Sequence, residues 1–145
     1  MRHYRKAVSL ITKFVKITFH QKVLLTEAII FLIASKLLLM LFPFRICKQI
    51  FRKKEMPHKQ ADIQLLKEVH IAVERANKIA FWSNVCLVKS FAARIMLQRR
   101  GIASSIYLGV TIKDGKELAA HAWLISDGVY VTPRGDSAFK EIYSF

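Results

Sequence analysis

The sequence predicts an α+β fold: an N-terminal helical region followed by a cysteine-bearing helix packed on an antiparallel β-meander. Three observations lead there. Up to Gly101 the apolar residues recur at helical spacing in successive stretches. Beyond Gly101 the period drops to 2, and the alternating segments are separated by Lys113-Asp114-Gly115-Lys116 and Asp127-Gly128, both hairpin signals. Finally, 145 residues that are 53% hydrophobic exclude a disordered chain and hold one core of ordinary size.

The first stretch, Arg2 to Lys22, sets six cations among Val8, Leu10, Ile11, Phe14, Val15, Ile17 and Phe19 and contains no acid. Such a basic amphipathic helix lies on an anionic membrane, on a partner, or over the core as solvated cover, and the sequence leaves these open. Its charges are spread throughout and no small-residue cleavage site follows, which is unlike a secretory signal.

Residues 23–46 are apolar enough to suggest a membrane span, but Glu27 and Lys36 interrupt them. Nine positions at about 100° each put these two on opposite sides of one helix, so no single polar stripe hides both from lipid. Each charge near a bilayer centre costs about 2.5 to 3.5 kcal/mol, which favours a buried or partner-facing helix over a spanning one. Pro43 ends or bends it, and Arg45 to Lys59 reads as a basic connector. The chain therefore divides into a basic, apolar helical region at 1–60 and a core at 61–145.

From Ala61 to Ile79 the residues Ile63, Leu66, Val69, Ala72, Val73 and Ala76 mark an amphipathic helix that leads to a turn at Phe81-Trp82. His70 on this helix has no second ligand at metal spacing, so it reads as a boundary histidine. The next helix starts near Cys86, with Ser83 or Asn84 as its cap, and stops at Arg99-Arg100-Gly101. Residues 104–112 and 117–125 then form a hairpin. Val129 to Thr132 is a third strand that ends or lies at an edge because Pro133 cannot donate to a ladder.

The chemistry concentrates at two residues. Cys86 stands at a helix start, where the unpaired N–H groups favour the thiolate, the nucleophilic form of cysteine. The bland alternative is a small buried hydrophobe, the commoner fate of a free cysteine. His121, inside the central strand, is the base that would take the thiol proton and return it to a leaving amine. A third group should fix the imidazole tautomer. Asp127 lies about 20 Å along the strand from His121. If Asp127-Gly128 is a two-residue turn, 121 stands opposite 134, and Asp136 falls one diagonal step away on the same face, so Asp136 is the candidate. Trp123 is a packing residue.

Net charge is +14, but residues 1–60 carry 13 lysines and arginines against Glu27 and Glu55, while the Cys/His half is nearly balanced. With no aromatic-basic interleaving or known motif, nucleic acid is not an expected partner. Cys47 and Cys86 are too few for a disulfide framework and suggest a reducing, cytoplasmic setting, with membrane association through the N-terminal region left open. No cofactor or metal is implied. The same residues admit acyl transfer to an amine in place of hydrolysis, and charge alone admits a basic membrane- or partner-binding module with an inert core.

Cys86-Leu87 opening a helix, Arg99-Arg100-Gly101-Ile102 closing it, Leu108-Gly109-Val110 in a strand, and Ala120-His121-Ala122-Trp123 before Asp127-Gly128 resemble the lasso peptide B proteins over residues 82–132. The stretch through Leu41-Phe42-Pro43-Phe44 is similar to the region before the protease core of that family. The resemblance implies a leader peptidase with a transglutaminase-like, papain-related fold and a Cys-His-Asp triad. It implies as substrate a ribosomally made precursor peptide, and as partners a small leader-recognition protein and a lasso cyclase. No strand-rich leader-recognition pattern precedes the core, as in the stand-alone protease of a split system. Cys86 and His121 match the family motif. The family's acid belongs nearer the end of the strand after the Asp-Gly turn, where this chain has Thr132-Pro133.

Overall fold

A computed structural model describes residues 18–50, 60–80, 86–135 and 138–145. Most of Arg2–Lys22, the end of the basic connector, the Phe81-Trp82 turn with its neighbouring cap candidates, and Asp136 lie outside them. Helix α1 (Phe19–Leu41) starts at Thr18, whose hydroxyl accepts from the Gln21 N–H, and stops just before Pro43. Its inward side, Leu24, Leu25, Ala28 and Leu32, packs on two later helices, α3 (Ile63–Ile79) and α4 (Cys86–Gln98).

Glu27, the residue that argues against a membrane span, sits at the contact of α1 and α4. The Arg100 guanidinium grips both its carboxylate oxygens, at 3.0 and 2.6 Å, and Arg99 Nε lies 3.5 Å away. A fork of this kind is stronger than a single hydrogen bond and fixes orientation. The two arginines that read as a helix stop therefore also bind α4 to α1. The stop itself is Gly101 at φ +72°, where Ile102 N–H reaches Leu97 O and Gly101 N–H reaches Gln98 O, the paired bonds of a left-handed helix end.

After Pro43 the chain forms a short helix, α2 (Phe44–Ile50), where the sequence suggests only a connector. Its Cys47 is fully buried, and the thiol donates to the Leu38 and Phe42 carbonyls at 3.6 and 3.7 Å. Burial pushes the Cys47 thiol up, outweighing the opposite pull of its backbone hydrogen bond. Helix α3 starts at Asp62, which accepts from Gln64 N–H at 2.9 Å, and buries Leu66, Val69, Ala72, Val73 and Ala76 as the periodicity predicts. Ile63, the first helical residue, is instead exposed. His70 Nδ1 donates to Val131 O at 2.8 Å and so ties α3 to the end of the sheet.

The sheet has four antiparallel strands, β1 (Ser105–Lys113), β2 (Glu117–Ser126), β3 (Val129–Tyr130) and β4 (Lys140–Ser144), in the order β3-β2-β1-β4. The first hairpin closes Lys113 on Glu117, and the second pairs Ser126 with Val129 as a two-residue turn requires. Two details differ from the sequence reading. The third strand ends after two residues rather than four: Val131 and Thr132 N–H both converge on Leu124 O, and the Leu124 N–H is met by the Thr132 hydroxyl in place of a backbone carbonyl. The fourth strand is unforeseen: every residue of it is exposed, so it carries no alternation to read. It is anchored past its end by reciprocal Phe145–Ile106 backbone bonds and by the buried Arg94, which donates to Phe145 O at 2.6 Å. Burial pulls the Arg94 guanidinium down to about 10.

Candidate active site

Cys86 is the first described residue of α4, and the sequence places it near the N-terminal end of that helix, where backbone N–H groups lack partners within the helix. It is only half-buried, unlike Cys47. Its sulfur accepts the Ala122 N–H at 3.3 Å, and so rests on the peptide that joins His121 to Ala122. The structure thus brings the first two sequence-selected residues together at one edge of β2. That edge is open because β3 is short: Leu124 O takes the Val131 and Thr132 N–H groups, and by alternation Ala122 points the same way.

His121 Nε2 lies 2.9 Å from the Pro133 carbonyl oxygen. A carbonyl only accepts, so Nε2 carries the proton and Nδ1 is left as the basic nitrogen. The ring is held on its other sides by Phe139, at 5.1 Å between centroids, and by Trp123 at 6.2 Å. Trp123 is buried and stacks on Tyr107, its cross-strand partner, while Arg134 lies over its ring and donates to Phe139 O. This is the packing role the sequence suggests for it.

The orientation of the imidazole by Pro133 corrects one step of the sequence argument. The regular ladder that would place 121 opposite 134 ends at Tyr130, after which Val131 and Thr132 N–H share the one acceptor Leu124 O and the one-to-one register is lost. Asp136 lies outside the described residues. Asp127 is engaged elsewhere, accepting from Ala61 N–H at 2.8 Å, and so fastens the entry of α3 to the second turn. Where the family resemblance places an acid, this chain supplies the Thr132 hydroxyl and the Pro133 carbonyl.

Sequence reasoning misses Ser90 and Thr132. Thr132 Oγ1 accepts from Leu124 N–H at 2.8 Å; Ser90 Oγ donates its one proton to the Ala122 carbonyl at 3.4 Å and so accepts from the Thr132 hydroxyl at 3.0 Å. Both side chains are buried. The chain of bonds fixes α4 to the open edge of β2 one turn below the sulfur. Its signal is the spacing Cys86 to Ser90, which puts both on one helix face. Thr132→Val keeps the shape but strands the Leu124 N–H, so thermal unfolding should show a loss of about 2 kcal/mol. Among the described residues no group of His, Cys, Asp or Glu could hold a metal ion.

No curated protein and no solved structure matches the chain. A family model described as the transglutaminase-like superfamily does match, over residues 29–144. That span takes in the cysteine of α4, the histidine strand beside it and the whole sheet, and over it the chain belongs to the transglutaminase-like superfamily.

Proposed function

We propose that this chain is a cysteine peptidase that removes the leader from a ribosomally synthesised lasso peptide precursor. The observation that carries it is the Cys86 sulfur seated on the His121–Ala122 peptide, with His121 held in the tautomer that leaves Nδ1 basic. Membership in a superfamily of cysteine-dependent enzymes and the motifs shared with the lasso peptide B proteins support the finer reading.

The steps follow from these groups. Nδ1 of His121 takes the thiol proton, and the thiolate attacks the scissile carbonyl while the Cys86 backbone N–H helps bind the developing oxyanion. The imidazolium then gives its proton to the leaving amine, and water releases the leader from the thioester. The Pro133 carbonyl fixes the ring but brings no full negative charge, so stabilising the imidazolium falls to Asp136 as the triad's third member. The precursor would be delivered by a small leader-recognition protein and passed on to the cyclase, in the cytoplasm.

The test is cleavage of a precursor by the purified chain with its leader-recognition partner, followed by mass spectrometry. A leader that ends in a free carboxylate supports hydrolysis; a leader joined to an added amine replaces it with acyl transfer. Asp136→Asn should keep the protein folded and leave slow residual cleavage, whereas Asp127→Asn retains a carbonyl acceptor for Ala61 and should do little. The reverse pattern would remove Asp136 from the triad.

A further inference from the structure

Helix α1 is apolar on two opposite sides, and the described protein covers one of them. The far side exposes Phe19, Val23, Ile30, Leu37, Met40 and Leu41, with Phe19 83% and Met40 and Leu41 each 72% accessible. Among the exposed residues of α1 none is Lys, Arg, Asp or Glu. Twenty-three residues make this stripe about 35 Å long, and the next helix, α2, exposes Ile46 and Ile50. Contiguous apolar surface on that scale marks an interaction site.

Charge indicates the occupant. The sequence before the stripe carries Arg2, Arg5, Lys6, Lys13 and Lys16 with no acid, and the sequence after it, from Arg45 to Lys59, carries six cations against Glu55. An apolar stripe whose sequence is flanked on both sides by cation-rich, acid-poor stretches complements an anionic bilayer, with headgroups for the cations and acyl chains for the stripe. At the end of the stripe Arg45, Lys48 and Gln49 line a groove with Tyr143 and Phe145, and Lys48 Nζ lies 3.9 Å over the Tyr143 ring. Cations beside aromatic rings are the side-chain set of a membrane interface. By length and composition α1 would reach across a membrane. Its inward side is committed to α3 and α4, however, and Glu27 is held by Arg100.

We propose that α1 and α2 form a docking face for the surface of an anionic bilayer, with α1 lying parallel to the membrane plane at the boundary of headgroups and acyl chains. This places the contact on α1 and α2 rather than on Arg2–Lys22 alone, and does not depend on the reaction at Cys86.

Flotation of the full chain with phosphatidylcholine vesicles, with and without phosphatidylglycerol, tests it. Binding should require phosphatidylglycerol and weaken as salt rises. The double variant Leu37→Asp/Met40→Asp changes only exposed positions; it should keep the parent circular dichroism and lose binding. Leu37→Asn/Met40→Gln serves if the aspartates prevent folding. Arg45→Glu/Lys48→Glu should weaken binding on the order of thirtyfold, from roughly fivefold per cation lost. Equal binding by the parent and the Leu37/Met40 variants would overturn the proposal. So would a parent that ignores vesicles but forms a dimer that those variants split, since the face would then belong to a second copy.

Discussion

Cys86→Ala is expected to lower precursor cleavage by about four orders of magnitude or more, because a Cys/His site without its nucleophile retains only binding and oxyanion contacts. The fold should survive. Cys86 is half-buried, and the substitution removes one sulfur that accepts the Ala122 N–H, at a cost of about 1 kcal/mol. Mass spectrometry of the reaction and circular dichroism of the variant check the two halves of this expectation. Substantial cleavage by purified, folded Cys86→Ala would remove the enzyme assignment. His121 needs a gentler change, since its ring fills the space between Phe139 and Trp123. His121→Gln keeps a donor within reach of Pro133, loses the base, and should be nearly as inactive as Cys86→Ala.

A large effect on stability is expected from the smallest change, Gly109→Ala. A Cβ on Gly109 would lie 2.7 and 2.8 Å from the Trp123 ring and 3.1 Å from the Lys140 carbonyl oxygen. The indole cannot swing aside, because Tyr107 stacks on it and Arg134 lies over it. The carbonyl belongs to β4, whose pairing with β1 already slips between Leu108 and Gly109. Overpacking of this kind costs about 1 to 3 kcal/mol, so thermal unfolding should fall by about 5 °C in a chain of this size. Activity should fall further than stability alone requires, because Gly109 pairs with His121 and Trp123 is one wall of the imidazole's slot. A variant with the parent's unfolding midpoint would mean that the ring relaxes in a way this packing does not allow.

How much of this is legible in the sequence depends on how local the cause is. The helix through Cys86 and its stop at Gly101 are legible because apolar periodicity and a helix-ending glycine act within a few residues. The hairpins are legible because Asp114-Gly115 and Asp127-Gly128 carry their own turn chemistry, with positive φ at all four residues. Cys86 and His121 can be selected by residue type and element alone, and the fold brings them to one edge. The failures are non-local. Glu27 reads only as an obstacle to a membrane span, since its partner Arg100 is 73 positions away. Strand β4 has no buried face to betray it. The register past Asp127-Gly128 misleads because ladder counting assumes backbone partners, and Thr132 substitutes a hydroxyl that no periodicity reports.

The contrast between the two cysteines has a practical meaning. Cys47 is sealed between α1 and α2, while Cys86 meets solvent, so the folded protein offers electrophiles one thiol at the place where the chemistry is proposed. The first equivalent of label counts competent sites. A second equivalent enters only when α2 lifts from the end of α1, so its rate is a clock for local opening of the helical layer, read without any substitution in the chain.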